Sequence, residues 1–160
     1  MSTPSQQFFQ LVTKGGQQLA ALCDLCEQEK TAIETHSAEQ LKAVVEHKKN
    51  LLLQVTDNIS QRNEILHSSG HQADDAGLDA FLQSLPKAET AAIKRAWSKL
   101  AEQLGLVTTL NERNEKIVMR TQKNMEQLLN IMQGHSTKTT LYNQSGAKGN
   151  YSAQNKLGKA

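Results

Sequence analysis

The chain has 160 residues, enough for one domain with one core and an unpacked margin. Aromatic residues make up 4% of it, too few to fill the central layer of an ordinary α/β enzyme. The net charge of +2 hides an asymmetry: residues 1–133 hold 14 Lys+Arg against 16 Asp+Glu, whereas residues 134–160 hold Lys138, Lys148, Lys156 and Lys159 and no acid. Prolines occur only at positions 4 and 86, so little interrupts long helices, and Gln, Leu, Ala, Lys and Glu, all good helix formers, dominate. Residues 1–20 lack a basic head and an apolar run, and no 18-residue apolar run follows, so the expected setting is cytoplasmic, without a membrane span.

The first element is set by heptad spacing. Stepping alternately by four and three from Phe8 gives Val12, Gly15, Leu19, Leu22, Cys26, Glu29 and Ile33, a largely apolar a/d seam. This predicts a helix over about 5–34. The second begins after His36-Ser37, where Ser37 and Gln40 have the spacing of a capping box. The same stepping gives Leu41, Val45, Lys48, Leu52, Val55, Ile59, Arg62 and Leu66 and predicts a helix over about 38–67. A short link between two long helices implies an antiparallel hairpin. In that hairpin Lys48 falls near Glu29, an ion pair, while Lys48 and Arg62 are expected to snorkel past the core edge.

Residues 67–77 cluster Gly, Ser and Asp without periodicity and read as a loop. Leu78 to Leu85 reads as a helical turn or two, closed by Pro86. A third seam then runs through Ile93, Trp97, Leu100, Leu104, Val107, Asn111, Asn114, Val118, Thr121, Met125, Leu128 and Met132 without a change of phase. It predicts one helix over about 88–133, ending at a Gly134 C-cap. Asn111 and Asn114 on consecutive seam positions suit a register-fixing role.

From His135 onward the pattern fails. Gly, Ser, Thr, Asn and Lys prevail, and such a segment cannot bury enough surface to offset its ordering entropy alone. The expected fold class is therefore all-α: an antiparallel three-helix coiled-coil-like bundle, made of a helical hairpin plus one long third helix, in a domain over 1–133. A flexible basic C-terminal tail over 134–160 is expected to fold on client binding. The third helix outruns the other two, which leaves Met125, Leu128, Leu129, Ile131 and Met132 without an obvious partner. An exposed Leu/Met face of that kind is the mark of a binding protein.

Other chemistries find little support. Cys23 and Cys26 form a lone C-x-x-C within a helix, better suited to packing than to redox or zinc chemistry. The five histidines have no ligand spacing, and no phosphate loop, dinucleotide fingerprint, nucleophile elbow or carboxylate pair occurs. The expectation is no enzyme, no cofactor, no metal, no small-molecule substrate and no nucleic acid. A self-associating structural coiled coil without a client is the alternative, and a basic-tail nucleic-acid binder and a Cys23/Cys26 redox protein are lesser rivals.

The layout as a whole resembles the FlgN family of flagellar export chaperones. Three pieces carry the resemblance over about residues 6–157. They are Glu29-Lys30 with the Leu41 to Leu52 succession of Leu, Val-Val, Lys-Lys and Leu-Leu; Trp97-Ser98-Lys99-Leu100 with Leu110, Asn114, Ile117 and Val118; and Leu141-Tyr142 with Gly146 in a polar tail. The Tyr-Gly pair of the family reads Tyr142-Asn143 here. The resemblance implies a cytoplasmic chaperone. It would bind the C-terminal helical segments of the hook–filament junction proteins FlgK and FlgL, prevent their premature assembly and deliver them to the flagellar type III export apparatus. It implies client binding by Met125, Leu128, Leu129, Met132, Leu141 and Leu157, and docking on the membrane-bound export gate by Tyr142.

Overall fold

The computed structural model describes residues 2–133, 140–142 and 148–150. Four helices make up nearly all of it: α1 (Pro4–Glu34), α2 (Ala38–Ser68), α3 (Asp75–Gln83) and α4 (Lys87–Met132). The class is all-α. Two three-residue strands, β1 (Thr140–Tyr142) and β2 (Lys148–Asn150), pair antiparallel with Leu141 opposite Gly149. No strand follows from the sequence pattern there, since three residues carry too little periodicity to be read. Gly134, Lys138, Lys156, Leu157 and Lys159 lie outside the described residues. The chain divides into two compact units, residues 1–115 and 116–160.

Local chemistry fixes the helix ends. At α1, Thr3 accepts from the Gln6 N–H while the Gln6 side chain accepts from the Thr3 N–H, a complete capping box, with Pro4 at the first helical position. At α2, Ser37 accepts from the Gln40 N–H at 3.3 Å, half of the box the sequence suggests. The link between them is tight enough to hold His36 at φ 54°, in the left-handed region. Asp74 caps α3 by accepting from the Gly77 N–H at 2.7 Å. Gly77 is required there, because a Cβ would sit 1.9 Å from the Gln72 carbonyl oxygen. Thr90 donates to the Leu82 carbonyl at 2.7 Å and ties the start of α4 to the end of α3.

Within the first unit, α1 and α2 form an antiparallel hairpin, and α4 runs parallel to α1. The pairings Phe8–Trp97, Arg113–Glu27 and Asn114–Glu29 set the second direction, and Asn58–Leu11 and Lys48–Glu29 set the first. The core is Phe8, Val12, Leu19, Leu66, Phe81, Leu82, Ile93 and Leu100. Phe8 is its centre, packed against Phe81 (5.3 Å between centroids) and stacked on Trp97 (6.3 Å, 11°).

The α1 seam matches the heptad expectation at Phe8, Val12, Gly15, Leu19, Leu22, Cys26 and Ile33, all buried. The α2 seam requires correction. Its inward line is Leu41, Val44, Lys48, Leu51, Val55, Asn58, Arg62 and Leu66, while Val45, Leu52 and Ile59 face outward. The period holds, and the line departs from the expected stepping by one residue at three positions, where Val44, Leu51 and Asn58 replace Val45, Leu52 and Ile59. The reason is polar: Asn58 faces inward because its Nδ2 donates to the Leu11 carbonyl at 2.8 Å, opposite the space left by Gly15. Counting apolar residues favours Ile59 and cannot see that bond. Leu104 on α4 is likewise exposed, and Gln103 beside it turns inward to accept from the Cys23 thiol at 3.7 Å.

Candidate functional site

The last part of α4 supplies the candidate site. Met125, Leu128, Leu129 and Met132 recur at i, i+3, i+4 and i+7, so they share one helix face. All four are more than half exposed, Met132 reaching 82%, and Met119 and Ile131 beside them are exposed as well. Among the described residues no cluster of three or more His, Cys, Asp or Glu that could hold a metal ion lies on this stretch. What it can do is bury apolar surface against another chain, at roughly 25 cal/mol per Å2 removed from water. Its Met and Leu side chains adapt to partners of varied shape. Leu141 and Tyr142 lie in β1, and Leu157 lies outside the described residues.

Of the residues expected on the seam, Trp97 is half-buried, Asn111 half-buried and Asn114 buried to 2%. Asn111 and Asn114 come together with the α1–α2 ion pair. Lys48 Nζ donates to Glu29 Oε2 at 2.9 Å and to Asn111 Oδ1 at 3.1 Å. Asn114 Nδ2 donates to the Cys26 carbonyl at 2.7 Å and to Glu29 Oε2 at 2.8 Å, while Arg113 donates to Asn114 Oδ1 and, at 2.9 Å, to Glu27. That hydrogen bond lowers the Glu27 pKa. The network satisfies most of the polar atoms it buries and links three helices at one level, which suits a register lock rather than a reaction centre.

Two arrangements escape sequence reasoning. Arg62 does not reach for solvent as a snorkelling side chain would. It is buried, its guanidinium carbon lies 5.2 Å from the Trp97 ring centroid, and its Nε has no hydrogen-bond partner among the described residues. Burial lowers its pKa. The second is the outward strip Val45, Leu52 and Ile59 on α2, spaced by seven, hidden from the sequence because heptad stepping assigns its residues to the core.

Cys23 and Cys26 are free and buried, Cys26 completely. Burial pushes both thiols up from the usual value, the opposite of what a reactive thiolate needs. Among the described residues no group of three or more His, Cys, Asp or Glu is placed to hold a metal ion, and no helix is long and apolar enough to cross a membrane.

Fold and site together define an all-α protein built on a helical hairpin, whose long last helix ends in an open apolar face. Residues 1–150 match the family described as FlgN protein, and the chain belongs to that family. It is also similar to a crystal structure of a Pseudomonas aeruginosa chain described as a flagella synthesis protein FlgN. The identity is 26%, 82% of this chain and 98% of that chain are covered, and the TM-score is 0.64. Comparison with curated proteins gives no match.

Proposed function

We propose that this protein is a non-enzymatic export chaperone of the flagellum. In this reading it works in the cytoplasm and holds the C-terminal helical segments of the hook–filament junction proteins FlgK and FlgL. It keeps them from assembling early and delivers them to the type III export apparatus at the membrane. Membership of the FlgN family, and likeness to a protein of flagella synthesis, support the flagellar setting. The observation that carries the binding role is the exposed face of Met125, Leu128, Leu129 and Met132.

The mechanism is helix-on-helix capture. A client's amphipathic segment lays its apolar stripe along that face, and the basic tail over 134–160 folds over it, with Leu141 and Leu157 as further anchors and Tyr142 as the contact for the export gate. Ordering such a tail costs on the order of 2–5 kcal/mol of the gross interaction, which keeps the complex releasable. Self-association of two such faces is the competing reading.

The test is titration calorimetry of the full chain with the C-terminal segment of FlgK or FlgL. Leu128→Gln with Met132→Gln is expected to weaken binding by about tenfold or more. Removal of residues 135–160 is expected to weaken it further. Unchanged affinity in both variants, with the helix content intact, sinks the proposal; a doubled mass without client in sedimentation favours the competing reading.

A further inference from the structure

A groove of about 930 Å3 runs between α1 and α4 within the first unit. That is near the upper end of the roughly 300–1,000 Å3 typical of binding pockets. It exists because both helices carry small residues where larger ones would interlock: Gly16 and Ala20 on α1, Ala92 and Ala96 on α4. Phe9, more than one-third exposed, stands at one end as an apolar wall. From Phe9 to Ala20 the trough follows eleven residues of helix, about 16 Å.

Its charge is one-sided. Lys94, Arg95 and Lys99 line the α4 edge, all three exposed and none in an ion pair among the described residues. Among the described residues no carboxylate lines the groove; Glu89 and Glu102 sit on α4 outside the lining, and Asp75 and Asp79 line an adjoining pocket that shares Lys94 and Ser98 with it. The α1 edge is neutral, with Thr13 and Gln17. No buried polar side chain is aimed into the trough to orient a small molecule, and the open channel between two parallel helices has the form that receives a third helix. The chain's own segment 134–160 carries four lysines and no acid, so the basic edge repels it.

We propose that this groove docks an acidic amphipathic helix of another protein. Its apolar stripe would lie against Phe9, Ala20, Ala92 and Ala96, and its carboxylates along Lys94, Arg95 and Lys99. The site rests on residues 9–99 and is independent of the α4 end.

The test titrates the full chain into a fluorescently labelled helical peptide of about five turns, with a Leu stripe flanked on one side by Glu, and into its counterpart with Lys in place of Glu. At low salt the Glu peptide is expected to bind at least about tenfold more tightly, with the gap closing as salt rises. The combined Lys94→Glu, Arg95→Glu and Lys99→Glu variant is expected to reverse the preference. These side chains are exposed, so the fold should survive; Arg95→Glu alone, with half the effect or less, serves if it does not. Equal binding of the two peptides overturns the proposal, as does unchanged preference in the charge-reversed protein. Loss of Glu-peptide binding in Leu128→Gln with Met132→Gln would place the peptide elsewhere and also overturn it. So would a dimer of the wild-type chain that the charge reversal dissolves, since the occupant would then be a second copy.

Discussion

Arg62 sets two comparable terms against each other. An unpaired buried guanidinium costs several kcal/mol before compensation, and a desolvated cation–π contact returns about 2 kcal/mol. Because its Nε has no partner among the described residues, replacing the charge by an apolar side chain of similar length should cost little. Arg62→Met is expected to leave the unfolding free energy from urea denaturation within about 1 kcal/mol of the parent or to raise it. Arg62→Lys, which keeps the charge and loses the flat face over Trp97, is expected to destabilise by about 1–2 kcal/mol in the same denaturation series. The thiols give a pH dependence of definite sign. Burial raises the pKa of Cys23 and Cys26 above the unfolded value. Their contribution is therefore fully present below the unfolded pKa and is lost as pH rises through the folded one. Between pH about 8 and about 10 the parent should lose stability faster than the Cys23→Ala, Cys26→Ala variant. Equal slopes would mean the thiols titrate alike folded and unfolded.

Glycines show how far an element can be read without its neighbours. Gly105 lies within α4 with nothing within 4 Å of the position a Cβ would take. Gly105→Ala is therefore expected to stabilise by about 0.5–1 kcal/mol in urea denaturation, through helix propensity. Gly15 looks equivalent in the sequence and is not. A Cβ there would sit 2.9 Å from Asn58 Oδ1 and 3.0 Å from Leu100 Cδ1, and Asn58 is tethered by its bond to Leu11. Gly15→Ala is expected to destabilise by about 1 kcal/mol despite the better propensity. The same contrast explains what was legible. The helix limits of α1 and α2 follow from period and capping residues, and the start of α4 from Pro86, all of them local. The inward line of α2 does not, because Asn58 and Arg62 hold their places through bonds and stacking to other helices. The Lys48–Glu29 pair was readable, since hairpin geometry alone aligns those two positions. The groove was not, because small residues signal nothing until two helices are laid together.

Across the whole molecule, the buried core and the proposed binding face fall on different residues. The folded unit over 1–115 has its own core around Phe8, whereas Met125, Leu128, Leu129 and Met132 contribute little burial. Changing these four to Gln is expected to shift the unfolding free energy of the chain by no more than about 0.5 kcal/mol while removing the face a client would use. A fall of several kcal/mol would show instead that the face is structural. The candidate face was legible from sequence because an a/d pattern that outlasts its partners is visible in one dimension. Its occupant was not, since apolar stripes carry no label. The Phe8–Trp97–Arg62 stack has a practical corollary. Trp97 is the chain's single indole, flanked by an aromatic ring from α1 and a cation from α2, and the residue before it lines the basic groove. The protein thus contains its own optical gauge: the emission of one fluorophore senses the junction of three helices, and a helix settling beside Ala96 would alter its colour without any dye attached.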